Sequence, residues 1–156
     1  MNATTKAPSR RRPVPSRRQD FFHFEDITTR WNDNDVYGHM NNAVHYALFD
    51  SVVNRWLHDV GRKHALRQDC IGLVVHSRCD YHAELAYPHR IVAGLRIDSL
   101  GQTSATYRVA LFAEHGELAA AEGLFVHVYV DRATRRPQPL TEGLRTAMAG
   151  LLRPEA

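Results

Sequence analysis

Residues 31–42 read WNDNDVYGHMNN, a polar stretch that separates a β-like segment from a helical one. Asn41 and Asn42 can cap a helix, because a short side-chain oxygen accepts one of the free N–H groups of the first turn. We expect the helix to run to about Val60, with Gly61 just past its end. Apolar residues occupy most of its circumference, which predicts a buried helix rather than one lying on a surface. They are Val44, Leu48, Phe49, Val52, Val53, Trp56, Leu57 and Val60.

The segments on either side of this helix have the composition of β-strands. A first strand is expected within residues 21–31, which combine aromatic, apolar and β-branched side chains. Four later segments are rich in Val, Ile, Tyr and Thr, namely residues 72–85, 91–100, 103–113 and 118–131. Thr141 can cap a short C-terminal helix after them. The order predicts an α+β fold in which an antiparallel β-sheet covers one long central helix.

The length and composition of the chain limit its class. A chain of 156 residues with 44% hydrophobic residues can bury one sizeable core, so we expect a single domain over residues 21–156. We find no apolar run long enough to span a membrane and no signal peptide, which predicts a soluble, cytoplasmic protein. The ten histidines are scattered without the spacing of metal ligands, so no metal site is expected.

Residues 1–20 differ in composition from the rest of the chain. Their basic side chains are opposed by Asp20 alone and are interrupted by three prolines. This composition predicts a disordered basic tail. Nucleic-acid binding is not expected, because the arginines are not interleaved with aromatic residues. The residues concerned are Lys6, Arg10, Arg11, Arg12, Arg17 and Arg18, with Pro8, Pro13 and Pro15.

The stretch 31–42 also carries a spaced motif. It contains an aspartate, two variable residues, Gly-His, one variable residue and Asn-Asn, filled here by Asp35, Gly38, His39, Asn41 and Asn42. This pattern resembles the start of hotdog-fold thioesterases of the 4-hydroxybenzoyl-CoA thioesterase type. Two further segments match the same family, Asp80-Tyr81 with Pro88, and residues 130–137. The resemblance spans roughly residues 22–148.

The resemblance implies a fold and an activity. The fold is a hotdog, an antiparallel β-sheet wrapped around a long central helix, with a short C-terminal helix. The activity is that of an acyl-CoA thioesterase, which hydrolyses a thioester to the free acid and coenzyme A. Asp35 would act as general base or as the nucleophile that forms a mixed anhydride, and the backbone N–H of Asn42 would polarise the carbonyl. Gly38 and His39 would shape the loop. No cofactor is implied, since coenzyme A is part of the substrate, and the residues that bind it remain unassigned.

The chemistry of thioester hydrolysis agrees with these residue types. The leaving thiol has a pKa of about 8.5, so the thiolate departs with little proton assistance. The enzyme must instead place a carboxylate beside the carbonyl and donors where the oxyanion develops. Asp35 can supply the carboxylate, and the free N–H groups of the helix N-terminus near Asn42 can supply the donors.

Neighbouring polar residues have weaker claims. Asp33 is interpreted as a loop carboxylate that accepts backbone hydrogen bonds. His39 could be an acid or base near pH 7, but a role in holding the loop is favoured. His45 and Asp50, both on the helix, are either pocket residues or packing residues.

Two other functions compete with hydrolysis of acyl-CoA, for which acyl-carrier-protein thioesters are a variant substrate. One is a hotdog enoyl-thioester hydratase or dehydratase, which needs a catalytic histidine paired with a carboxylate. The other is a non-catalytic protein that binds acyl thioesters, a role that would not require Asp35. A homodimer or homotetramer is expected, because one curled sheet leaves strand edges to be covered.

Overall fold

The computed structural model describes residues 13–64 and 69–154, and these form one layer of sheet and one layer of helix. Five strands follow the chain order, β1 (His23–Ile27), β2 (Cys70–Tyr81), β3 (Ile91–Leu100), β4 (Ser104–Ala113) and β5 (Ala121–Asp131). The long helix α1 (Asn42–His64) lies between β1 and β2, and the short helix α2 (Glu142–Ala149) follows β5. The predicted order of elements is confirmed.

The strands form a single antiparallel sheet in the order β1-β3-β4-β5-β2. Central pairing sets Ile91 of β3 opposite Ala113 of β4, and Tyr107 of β4 opposite Phe125 of β5. Strand β2 is an edge strand of 12 residues, and its register with β5 shifts between Val74 and His76. The chain therefore has the predicted hotdog arrangement, an antiparallel sheet around one long helix.

Helix α1 buries one face against the sheet. Phe49 is fully buried, and Val52 and Val53 are each 1% exposed. Gly123 of β5 makes room for the helix, because a Cβ atom there would lie 2.6 Å from a ring carbon of Phe49. Burial of side chains of this size contributes about 1.5–3 kcal/mol each. The contact between α1 and the sheet is therefore a large source of apolar stabilisation.

Two expectations about α1 are wrong. The helix is not buried all round, because the face opposite the sheet carries polar and exposed residues, among them Asp50, Ser51, Asn54 and Arg55. It also continues through Gly61 to His64. Glycine ends a helix when the chain needs a positive φ, whereas within the helix it costs only about 1 kcal/mol relative to alanine. Hydrophobic content alone did not show which side of the helix the sheet covers.

The segment before β1 lies on the outer face of the sheet. The backbone N–H and side-chain hydroxyl of Ser16 donate to the Glu122 carboxylate at 2.7 and 2.8 Å. The Phe21 side chain is 3% exposed and packs edge-on against Phe112, with ring centroids 5.6 Å apart. Residues 16–20 of the segment predicted as a disordered tail thus contact the sheet. Residues 1–12 lie outside the described residues.

The first and last elements also show how local sequence sets boundaries. Strand β1 ends at Ile27, and residues Trp31–Asp33 form a turn of 3-10 helix where a longer strand was expected. Helix α2 begins as predicted, since the hydroxyl of Thr141 accepts the backbone N–H of Leu144 at 3.4 Å. None of the helices described is long and apolar enough to cross a membrane.

Candidate active site

The loop between the 3-10 turn and α1 closes on itself through backbone hydrogen bonds. The N–H of Asp35 donates to the carbonyl of His39 at 2.8 Å, and the N–H of Gly38 donates to the carbonyl of Asp35 at 3.2 Å. Gly38 has a φ of 83°, a conformation that glycine adopts without the strain imposed by a Cβ atom. The spacing of the motif is therefore the spacing of a tight turn that displays the Asp35 side chain.

The Asp35 carboxylate is half-buried and has one oxygen engaged by the loop. Its Oδ1 accepts the backbone N–H of Tyr37 at 2.8 Å and that of His39 at 3.3 Å. Among the described residues, Oδ2 has no hydrogen-bond partner. The backbone bonds fix the orientation of the carboxylate and leave one oxygen available to a ligand.

Asp33 occupies a different environment in the same loop. It is 3% exposed, and its oxygens accept the backbone N–H of Arg30 at 2.7 Å and two guanidinium N–H groups of Arg30 at 3.0 and 3.2 Å. Its backbone carbonyl accepts the N–H of Asn41 at 2.8 Å. Asp33 thus joins the turn before the loop to the start of α1, which agrees with its interpretation as a loop carboxylate.

The first turn of α1 is capped by Asn41 and begins at Asn42. The side-chain oxygen of Asn41 accepts the N–H of Ala43 at 2.9 Å, and its carbonyl accepts the N–H of Val44 at 2.9 Å. The N–H of Asn42 has no hydrogen-bond partner among the described residues. The positive end of the helix dipole reinforces this free donor. Asn42 can therefore donate to a negatively charged oxygen.

A cavity of about 340 Å³ brings most of the predicted residues together. Asp35, His39 and Asn42 line it, while Gly38 belongs to the loop and not to the lining. A larger cavity of about 430 Å³, bounded by residues 26–29, 88–92 and 114, contains none of the predicted catalytic residues. We take the smaller cavity as the candidate active site, because it holds both a carboxylate and a helix N-terminus. Its other lining residues are Met40, His45, Tyr81, His82, Ala83, Glu84 and Leu85.

The far wall of the cavity comes from the end of β2 and the segment after it. The carbonyl of Leu85 accepts the backbone N–H of Met40 at 2.7 Å, which holds this wall against the loop. Nε2 of His39 lies 3.1 Å from a carboxylate oxygen of Glu84, although both side chains are largely exposed. Burial raises the pKa of Tyr81, so its phenol stays protonated. Of this wall, the sequence had marked only Tyr81 through the motif at residues 80–88, whereas Glu84 had no recognisable signal.

His45 lies one turn into α1 and forms another side of the cavity. It is 4% exposed, and its Nδ1 is 3.1 Å from the carbonyl of Asn41. Its ring meets that of Tyr81 edge-on, with centroids 5.1 Å apart. Burial lowers the pKa of His45, opposed by the hydrogen bond to Asn41, and this favours a neutral imidazole. Of the two helix residues left open by the sequence, His45 lines the cavity, and Asp50 does not.

The described part of the chain contains no cluster of three or more His, Cys, Asp or Glu side chains that could hold a metal ion. The expectation of a site without metal or cofactor stays a prediction.

Comparisons with known proteins identify the family. Residues 29–148 match the model of the thioesterase-like superfamily. A crystal structure of a protein from Pseudomonas aeruginosa strain PAO1 is similar, with 46% identity, a TM-score of 0.82, and coverage of 90% of this chain and 98% of that chain. A thioesterase from Thermus thermophilus, complexed with coenzyme A and Zn, has 26% identity and a TM-score of 0.69, with coverage of 85% and 96%. No curated protein matches the chain.

The fold extends to more distant structures. A 1,4-dihydroxy-2-naphthoyl-CoA thioesterase from Synechocystis has 18% identity and a TM-score of 0.69, with coverage of 81% of this chain and 94% of that chain. The matched residues 29–148 include the loop, α1 and the strands β2 to β5. The chain therefore belongs to the thioesterase-like superfamily, and it is a thioester hydrolase with the hotdog fold.

Proposed function

We propose that the protein is an acyl-CoA thioesterase whose reaction takes place in the cavity at the N-terminus of α1. One observation carries this proposal: the same cavity is lined by Asp35, which has a carboxylate, and by Asn42, whose backbone N–H has no partner among the described residues. A carboxylate beside a carbonyl and a donor aimed at the developing oxyanion are the two groups that thioester hydrolysis requires.

The proposed reaction assigns one role to each group. The thioester carbonyl oxygen accepts a hydrogen bond from the Asn42 N–H, which stabilises negative charge as the carbonyl carbon is attacked. In one route the Asp35 carboxylate takes a proton from water as the water oxygen attacks that carbon. In the other route Asp35 attacks the carbon itself, and water then hydrolyses the mixed anhydride. In both routes the C–S bond breaks and the sulfur leaves as a thiolate.

Gly38 and His39 support this arrangement without acting on the substrate. Gly38 permits the turn, and the backbone of His39 bonds to both the N–H and the carboxylate of Asp35. The ring of His39 contacts Glu84 of the opposite wall. These contacts support the interpretation of His39 as a residue that holds the loop.

A ligand of one relative supports the substrate class. The Thermus thermophilus relative is complexed with coenzyme A. We infer that the present enzyme hydrolyses a coenzyme A thioester, with acyl-carrier-protein thioesters as the variant of the same chemistry.

The contacts in the loop favour hydrolysis over the two competing functions. A hydratase or dehydratase needs a histidine paired with a carboxylate at the reacting carbons. Within the loop, the Asp35 carboxylate accepts backbone N–H groups and does not pair with the ring of His39. That ring meets Glu84 instead, in a pair whose side chains are 46% and 76% exposed and therefore poorly fixed for proton transfer. A protein that only binds the thioester would not need a carboxylate in the cavity at the helix N-terminus.

A thiol-release assay on acyl-CoA and acyl-carrier-protein thioesters, from short aliphatic to aromatic acyl groups, tests the proposal. Free thiol should appear with at least one coenzyme A thioester at a rate far above the buffer reaction. Hydration of an enoyl-CoA without thiol release would support the hydratase instead. Tight binding of acyl-CoA with no turnover of any substrate would support the binding protein.

We also propose a homo-oligomer built from at least a dimer, because β2 is a long edge strand with exposed apolar side chains. Val74 and Val75 are 48% and 61% exposed, and Leu73 is 37% exposed. An edge strand with these properties is normally covered, and a second copy of β2 can pair with it antiparallel. Light scattering should give at least a dimer mass. Val75→Lys, which puts a charge on this strand, should shift the protein toward monomer, whereas a monomeric wild-type protein with full activity would contradict the proposal.

A further inference from the structure

We propose that Nε2 of His45 holds the water molecule that attacks the acyl carbon, in the thioester or in the mixed anhydride, by accepting a hydrogen bond from one of its O–H groups. This role rests on the proposed hydrolysis in the cavity at the start of α1. It adds a catalytic residue that lies outside the Asp-x-x-Gly-His-x-Asn-Asn motif.

The contact of His45 with the helix backbone fixes its tautomer. Nδ1 lies 3.1 Å from the carbonyl oxygen of Asn41, and a carbonyl can only accept a hydrogen bond. Nδ1 of the neutral ring must therefore carry the proton. Nε2, at the distal end of the ring, then presents a lone pair and acts as an acceptor.

The acceptor, Nε2 of His45, has no hydrogen-bond partner among the described residues, and His45 lines the cavity. Among the same residues both ring nitrogens of His127 also lack a partner but are fully buried, whereas Nε2 of His45 keeps some exposed surface. His45 shares the cavity lining with Asp35 and Asn42. A volume of about 340 Å³ is several times the ~30 Å³ that a water molecule occupies in the liquid. The cavity thus has room for a thioester carbonyl and a water between these groups.

In both proposed routes a water molecule attacks the acyl carbon, and Nε2 of His45 can hold that water. The attacking water has two protons. One passes to the Asp35 carboxylate, either as Asp35 acts as base or as Asp35 is released from the anhydride. The other proton stays on the oxygen and points to Nε2 of His45, which fixes the direction of the water lone pair. His45 transfers no proton and remains neutral, and the thiolate leaves with the electrons of the C–S bond.

Protonation of His45 would abolish this role, because Nε2 would become a donor. Burial lowers the pKa of His45, so the loss should occur below the ordinary histidine value of about 6.5. The rate should therefore fall on the acid side with a midpoint below this value. The titratable groups that face His45 around the cavity are Asp35, His39, Tyr81, His82 and Glu84.

Two variants separate the hydrogen bond from packing. His45→Asn keeps a donor near Nδ1 and removes the distal acceptor, so kcat should fall about tenfold, the value of one good hydrogen bond, with KM little changed. His45→Gln places an amide near the position of Nε2 and should recover part of this loss. Its rate should also lose the part of the acid limb, the fall in rate at low pH, that comes from His45, because an amide does not titrate. His58→Gln, an exposed change on the same helix, should leave both the rate and the limb unchanged.

The outcomes distinguish this proposal from the proposed function. A wild-type protein that hydrolyses no thioester contradicts the function itself. An active wild type whose rate is unchanged in both His45 variants, or whose acid limb is the same in His45→Gln as in the wild type, overturns the role of His45. If both variants fail to fold, the wild-type pH profile decides, since a rate that does not fall at any acid pH at which the protein stays folded would contradict a histidine acceptor, which protonation turns into a donor. Persistence of the limb in His39→Gln, whatever its rate, excludes His39 as its source, and the change of the limb in His45→Gln then assigns it to His45.

Discussion

The loop before α1 holds two carboxylates with opposite surroundings. Asp33 is 3% exposed, and both of its oxygens accept N–H groups of Arg30. Asp35 lines the cavity, and only its Oδ1 accepts hydrogen bonds from the described residues. A carboxylate whose oxygens are all engaged stabilises the loop, whereas one with a free oxygen at a cavity can act on a ligand. Asp33 and Asp35 are only two residues apart in the chain, yet one supports the loop and the other is placed to act on a ligand.

The same contrast separates two buried histidines. His45 and His127 are each 4% exposed, and burial lowers the pKa of both. His45 has one nitrogen bonded to the helix backbone and lines the cavity. His127 packs against the ring of Tyr107, with centroids 4.7 Å apart, and neither of its nitrogens has a partner among the described residues. The surroundings of an imidazole, and not its burial alone, decide what it can do.

The largest effect should come from Asp35→Asn. The amide keeps the size of the side chain and can still accept the N–H groups of Tyr37 and His39. It loses both basicity and nucleophilicity, so kcat should fall at least ~100-fold while acyl-CoA still binds. Steady-state thiol release together with a binding measurement checks this. Near-normal turnover would remove Asp35 from the mechanism.

Asp33→Asn should reverse the pattern, with a larger effect on stability than on rate. The change weakens charge-assisted hydrogen bonds to Arg30, whose side chain is largely exposed, so the free energy of unfolding should fall by about 1–2 kcal/mol. Thermal or denaturant unfolding measures this loss, and kcat at a temperature where the variant is folded should stay within a few-fold of wild type. A loss of kcat equal to that of Asp35→Asn would show that loop damage, not chemistry, explains both variants.

Two glycines sharpen the contrast between the loop and the helix. Gly38 has a φ of 83°, and a Cβ atom there would meet nothing within 4 Å, so the cost of Gly38→Ala is strain alone, about 1–2 kcal/mol. A Cβ atom at Gly61 would also meet nothing within 4 Å, but Gly61 lies within α1, where alanine is favoured over glycine. Gly61→Ala should therefore raise the free energy of unfolding by up to about 1 kcal/mol. Unfolding experiments should therefore give changes of opposite sign. Equal changes would contradict the assigned backbone conformations.

The sequence was sufficient for the features that depend on local spacing. The motif predicted the turn that presents Asp35 and the start of α1, and the third strand has the predicted bounds, Ile91–Leu100. The Thr141 cap also lies where it was expected. These features depend on hydrogen bonds and side-chain patterns within a few residues, which a single sequence displays directly.

Features set by distant contacts were not predictable. The second wall of the cavity, with His82 and Glu84, is placed by the pairing of β2 with β5 and by the bond from Met40 to Leu85. No local pattern gives that register. The exposed face of α1 was missed for the same reason, since an apolar helix shows its free side only when the position of the sheet is known. Gly61 failed as a stop signal because glycine permits a helix end without requiring one.

The smallest effect is expected at His127, where His127→Phe replaces an enclosed imidazole by an apolar ring. Phenylalanine can keep the contact with Tyr107 and has no polar atoms to leave unpaired, so stability at neutral pH should be unchanged or slightly higher.

The clearer difference between His127→Phe and the wild type should appear at acid pH. Burial lowers the pKa of His127 in the folded protein, with the charge of Asp50 opposing the shift. Above about pH 6.5 both the folded and the unfolded forms are neutral, whereas below it the unfolded chain binds a proton first. The wild type should thus lose stability as the pH falls below about 6.5, by at most about 1.4 kcal/mol per pH unit from this residue, and the variant should lose less. Burial also lowers the pKa of His45, so part of the loss of stability at low pH should remain in both proteins. Melting temperatures at about pH 7.5 and 5.5 measure the difference, and an equal fall in both proteins would show that His127 acquires a partner, such as an enclosed water, that offsets its burial.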